Sequence, residues 1–149
     1  MSCWRPALIC ATALFAGCTS LALVALTVSA AAAEELPLTS TPGNKLDGER
    51  IFSDREKGHC LLCHRLVGNP EPFQGTIAPP LDGIGSRLDP AEIRFRIVDI
   101  SRLLPNTIMP AYYRTEGLSQ VATAYQGKPV LTAQEIEHLV AYLAAQKDP

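Results

Sequence analysis

The sequence predicts an all-α fold, and three observations predict it. Two segments open on a capping box and continue with an apolar stripe at helical spacing. One is Asp89-Pro90-Ala91-Glu92, followed by Ile93, Ile97 and Ile100; the other is Thr132-Ala133-Gln134-Glu135, followed by Ile136, Leu139, Val140 and Leu143. A third helix is expected from Asn44 or Lys45 toward Arg55, with Ile51 and Phe52 on its buried side. Between the first and second helices lies Cys60-Leu61-Leu62-Cys63-His64, the spacing for covalent c-type haem attachment. Together these features describe three main helices and their loops wrapped around one covalently bound haem c.

The chemistry of attachment explains the spacing. Each thiol adds across one haem vinyl group, and the short turn between the cysteines holds the two sulfurs at the separation of neighbouring vinyls. The adjacent imidazole of His64 then lies beneath the macrocycle, where a ring nitrogen can bind iron as the proximal ligand. A CxxC pair alone also serves thiol–disulfide exchange and zinc knuckles. A tetrahedral zinc site lacks donors here, because His59 and His138 are the only other histidines.

The compartment follows from the N-terminus. Arg5 is the only charge before Glu34, and the run from Ala7 to Ala33 is apolar or small. The tract Ala30-Ala31-Ala32-Ala33 before Glu34-Glu35 resembles a signal-peptidase site, so residues 1–33 are expected to be a cleaved signal peptide of a periplasmic protein. A retained anchor and a lipoprotein modified at Cys18 are the alternatives. Of five cysteines, Cys3, Cys10 and Cys18 fall in the leader. Cys60 and Cys63 remain, too few for a disulfide framework and enough for one haem. A chain of 149 residues holds one small domain, and a net charge of −2 points to neither nucleic acid nor an anionic membrane as partner.

The remaining elements follow in chain order. Residues 34–43, with Pro37 and Pro42, predict an extended, flexible arm ahead of a domain spanning 44–149. Gly48 costs the first helix about 1 kcal/mol relative to alanine, a cost that a close helix crossing would justify. Thr76 to Gly85 is rich in Pro and Gly and is expected to be loop. It can set a backbone carbonyl, with Pro79 as the candidate, against Nδ1–H of His64; a simple rigid turn is the alternative. On the second helix Arg94, Arg96, Asp99 and Arg102 fall beside the apolar stripe. Arg87 or Arg94 is a candidate partner for a haem propionate, and a solvated basic face is the competing reading.

Leu103 to Pro110 holds Met109, the only methionine besides the initiator, between two prolines. A thioether is a suitable soft ligand for the second axial position. His138 is a weaker candidate, off the apolar stripe of its helix, and an open site is the third possibility. Tyr112, Tyr113 and Tyr125 follow in a connecting stretch, where they either close the haem edge and support the Met loop or simply pack.

CxxCH, the Ala78-Pro79-Pro80-Leu81-Asp82-Gly83 loop, Thr107-Ile108-Met109 and Leu139-Val140-Ala141-Tyr142-Leu143 resemble the class I cytochromes c over nearly the whole mature chain. By this likeness Gly48 and Phe52 contact Leu139 and Tyr142. Thr107 to Arg114 and Gly127 to Gln134 are similar to the SoxX family, small monohaem subunits of the periplasmic SoxAX complex of sulfur oxidation. That resemblance implies a heterodimer with a SoxA-type cytochrome. Such a complex oxidatively couples thiosulfate to a cysteine of a SoxYZ-type carrier (L-cysteine S-thiosulfotransferase chemistry). It also implies that this chain accepts the electrons and passes them to a downstream cytochrome. With both mature cysteines committed to haem, no thiolate is left to carry a sulfur intermediate, so the chain is expected to relay electrons rather than act as the covalent catalyst. A free-standing electron carrier and a CxxC thiol–disulfide protein are the two other readings.

Overall fold

The computed structural model describes residues 36–149, so the leader expected over residues 1–33 lies outside the described residues. The element order is α1 (Lys45–Ser53), α2 (Ile84–Arg87), α3 (Pro90–Asp99) and α4 (Ala133–Ala144). Single 3₁₀ turns occur at Cys60–Leu62, Ile100–Arg102 and Thr123–Tyr125, and no strand is found among the described residues. The three expected helices are present. The fourth, α2, is one turn long and begins at Ile84, within the segment expected to be loop as far as Gly85.

The local sequence accounts for where the helices start. Asn44 caps α1, its side-chain Oδ1 accepting from the backbone N–H groups of Leu46 and Asp47. Asp89 with Glu92, and Thr132 with Glu135, form the two reciprocal capping boxes of α3 and α4. Pro90 sits at the first position of α3, where its missing N–H costs nothing.

The fold is built on α4, against which α1 packs most extensively and α3 next. Gly48 makes the first crossing possible: a Cβ there would lie 2.0 Å from the backbone oxygen of His138. The two backbones therefore touch at that point, which justifies glycine in mid-helix. One turn on, Phe52 is fully buried and its ring meets Tyr142 in a tilted arrangement, centroids 5.4 Å apart. Leu131, Ile136 and Leu139 complete the most deeply buried part of the core.

Residues 36–43 are tied down rather than free. The N–H of Leu38 donates to Glu137 at 2.8 Å, and the hydroxyl of Thr39 bonds Gln134 at 2.8 Å. The Asn44 N–H donates to Nδ1 of His138, so that imidazole fastens the start of α1 to α4. These partners lie roughly a hundred residues away in sequence, which is why the local composition suggested only an arm.

Arg94 also differs from expectation. It is neither solvated nor turned to a ligand: it is 5% exposed and forms a bidentate pair with Glu137, Nε to Oε1 at 2.7 Å and Nη2 to Oε2 at 2.8 Å. The pair bridges α3 and α4. Arg87 turns back onto the Pro-rich loop, donating to the carbonyl of Asp82. Both guanidiniums serve the protein's own oxygen atoms.

Candidate functional site

A cleft, partly open to solvent, runs between the helices. Phe52 from α1, Ile93 and Ile97 from α3, and Leu139 and Leu143 from α4 form its walls. Cys60, His64 and Met109, three of the residues singled out in the sequence, all line it. The surface it presents is apolar, as the linings of small-molecule and cofactor sites predominantly are.

The cysteine segment is held by short-range bonds. The N–H of His59 donates to the Asp54 carbonyl at 2.9 Å, and His59 itself takes the left-handed region (φ 47°), so the chain reverses sharply just before Cys60. One 3₁₀ turn follows, bringing Cys63 N–H and His64 N–H onto the Cys60 carbonyl. The two sulfurs and the imidazole are thereby presented from a single tight turn. Burial pushes the Cys60 thiol up to about 12, with a backbone hydrogen bond opposing and nearby Cys63 adding to the rise.

The Pro-rich loop is zipped to this turn. Gly75 N–H donates to the Leu61 carbonyl, Ala78 N–H to Cys63 and Leu81 N–H to Arg65, at 2.8–3.0 Å. Gly75 is required here, since a Cβ would lie 1.9 Å from the Leu62 oxygen. Between those anchors the Pro79 carbonyl oxygen sits 2.8 Å from Nδ1 of His64. A carbonyl only accepts, so Nδ1 carries the proton and the lone pair of the neutral ring is left on Nε2. That is the tautomer of a histidine ready to bind metal through Nε2.

The Met109 loop, which also contributes to the lining, is anchored at both ends. Leu103 and Leu104 N–H groups donate to the Ile100 carbonyl, and Met109 N–H donates to the Thr107 hydroxyl at 3.1 Å. After the loop, Tyr112 N–H bonds the Ile97 carbonyl and Tyr113 N–H the Val98 carbonyl. Arg114 pairs with buried Asp99 at 3.4 Å. His138, the weaker axial candidate, is not among the cleft-lining residues, because its ring is engaged at the start of α1.

Arg96 and Tyr112 line the cleft without a settled assignment from sequence. Arg96 contributes to the cleft wall while its Nη1 donates to the Glu92 carbonyl at 2.9 Å. It lies three positions after Ile93, so helical spacing alone could have put it on this face. Tyr112 also lines the cleft, and its hydroxyl donates to the Gly58 carbonyl at 2.7 Å. Burial, with the Cys60 and Cys63 sulfurs nearby, raises its phenol well above the ordinary tyrosine value, so it remains a donor at neutral pH. The sequence left this tyrosine undecided between packing and support.

The residues fit a c-type haem. Two thiols, an imidazole with a free Nε2 lone pair and a thioether meet around an apolar cleft, a donor set suited to covalent attachment and axial ligation.

Comparison with solved structures agrees with this geometry. A chain of SoxXA from P. pantotrophus superposes with a TM-score of 0.71 and is 38% identical, covering 76% of this chain and 89% of that one. The chain belongs to the SoxX-like class I cytochromes c. The all-α architecture is therefore that of the cytochrome c fold, and membership of this SoxX-like family implies a covalently bound haem c. The c-type cytochrome SorU from Sinorhizobium meliloti is 22% identical over 68% of this chain and 88% of its own, with a TM-score of 0.45. No protein-family model and no curated protein matches the chain. No helix among the described residues is long and apolar enough to cross a membrane.

Proposed function

We propose that this protein is the periplasmic, monohaem, electron-accepting subunit of a SoxAX-type complex that couples thiosulfate to a carrier-protein cysteine. The observation that carries the reading is the 38% identity to a SoxXA chain over 89% of that chain's length. A single CxxCH motif supports one haem. The leader over residues 1–33 supports export, which covalent haem attachment to an exported protein requires.

In this reading Cys60 and Cys63 would hold the haem by two thioether links, and His64 and Met109 would ligate its iron. The bound haem supplies reversible one-electron redox chemistry. Pro79 orients the His64 ring and keeps the proton on Nδ1. The apolar walls exclude water, and the Met side of the His/Met pair favours a raised reduction potential, as suits an electron acceptor. Cys60 and Cys63 are the only cysteines among the described residues, so with both bonded to haem none is left to carry a sulfur group. The covalent sulfur chemistry then belongs to the partner, a SoxA-type cytochrome, and the acceptor is a SoxYZ-type carrier. The electrons leave through a downstream cytochrome.

The test is affinity capture of the tagged, matured protein from its native periplasm, with haem staining of the captured proteins. A stoichiometric larger cytochrome is expected; a haem-bearing monomer alone would overturn the complex and leave a free carrier. For the ligand, Met109→Ala is expected to abolish the methionine–iron charge-transfer band and lower the potential. An unchanged band and potential would remove Met109 from the site.

A further inference from the structure

Two segments that contribute to the cleft lie far apart in sequence. One segment is the turn that carries Cys60, Cys63 and His64; the other is the loop that carries Met109. Most of that loop is exposed: Leu103, Leu104, Pro105, Asn106, Ile108 and Pro110 all face solvent. Few side-chain contacts therefore hold Met109 inward, and its position depends on how the loop's two ends are fixed.

The N-terminal end is fixed locally, by the turn at Ile100–Arg102. The C-terminal end is fixed at Tyr112, three residues after Met109. Tyr112 is bonded at three points: its N–H to the Ile97 carbonyl at 3.1 Å, its carbonyl to the Leu131 N–H at 3.0 Å, and its hydroxyl to the Gly58 carbonyl at 2.7 Å. The first two bonds join it to α3 and to the residue entering α4. The third crosses the molecule to the residue two before Cys60. Gly58 is buried, so its carbonyl has no ready replacement partner in water.

We propose that Tyr112 is a positioning residue whose hydroxyl ties the Met109 loop to the cysteine turn and so keeps the methionine side of the cleft closed to outside ligands. This rests on the reading of Met109 as an axial ligand given above. A loop that opens more often exposes the iron more often, and an external ligand's apparent affinity rises in proportion to the open fraction. Removing one hydrogen bond of ordinary strength shifts such an equilibrium by about tenfold.

The experiment uses the full, matured ferric protein and imidazole as probe, following loss of the methionine–iron charge-transfer band. Tyr112→Phe keeps the ring in the cleft and removes only the hydroxyl. Imidazole is expected to bind it about tenfold more tightly than wild type, with both cysteines still attached to haem. Tyr125→Phe, at an exposed tyrosine, is expected to behave as wild type. Amide hydrogen exchange supplies a second readout: faster exchange confined to residues 103–111 is expected in Tyr112→Phe, with α1 and α4 unchanged. Equal imidazole affinity, or equal exchange in that loop, overturns the role of Tyr112 while leaving Met109 as ligand. If wild type itself lacks the charge-transfer band, the assignment of Met109 fails, and the present inference fails with it.

Discussion

Glu137 and Arg94 show how a single pair can reverse the meaning of a charged residue. The carboxylate accepts from two guanidinium nitrogens and from the Leu38 N–H, and both side chains are almost wholly buried. Burial alone would raise the carboxyl; the Arg94 hydrogen bonds, the Leu38 N–H and the Arg94 charge outweigh it and hold the group below its ordinary value of 4.5. A depressed folded value contributes stability that is fully present above pH 4.5 and is lost as the pH falls through the folded value. Glu137→Gln leaves a buried guanidinium opposite a neutral amide and is expected to cost about 3–5 kcal/mol at pH 7. Thermal melts at pH 7 and pH 3 check this, since the deficit relative to wild type should shrink in acid. A deficit independent of pH would assign the pair a purely steric role. In sequence, Arg94 was one of four polar residues beside an apolar stripe, and nothing local marked its partner 43 positions away.

At the scale of elements, the crossing of α1 over α4 sets the cleft's dimensions, because Phe52 and Leu139 from those helices both line it. Gly48→Ala would place a methyl group 2.0 Å from the His138 backbone oxygen and 2.7 Å from the Tyr142 Cβ. The helices must separate, at a cost of about 3 kcal/mol and a fall in Tm on the order of 10 °C. Circular dichroism melts of the matured variant measure it; an unchanged Tm would mean that the crossing tolerates more space than the geometry shows. The capping boxes of α3 and α4 were legible because they are local devices, set by residues three apart. The single turn of α2 was not, because it is held from outside: Gly85 N–H donates to the Gln146 carbonyl, and the Lys147 ammonium bonds the Gly85 carbonyl.

For the molecule as a whole, the cleft is lined from α1, α3 and α4, so a haem held there would pack against all three. Left unfilled, an apolar cleft deprives its lining side chains of partner atoms on one side and weakens the packing that fixes one rigid state. The double variant Cys60→Ala/Cys63→Ala, which cannot be alkylated by the vinyl groups, is expected to keep helical far-ultraviolet dichroism and to lose near-ultraviolet dichroism and a sharp melt. A cooperative transition at the wild-type temperature would show that the helices close on themselves.

The haem-attachment motif and the starts of α3 and α4 were legible in the sequence alone, since CxxCH and the capping boxes each depend on residues within a few positions of one another. The Pro79 carbonyl was foreseen for the same kind of reason, because a Pro- and Gly-rich loop after His64 has few ways to lie. Tertiary structure alone decided that Arg94 pairs inward, that Arg96 reaches the cleft, that His138 accepts from the Asn44 N–H and that the Tyr112 hydroxyl bonds Gly58. Each of those outcomes turns on a partner tens of residues away, and distance along the chain carries no record of which side chains folding brings together.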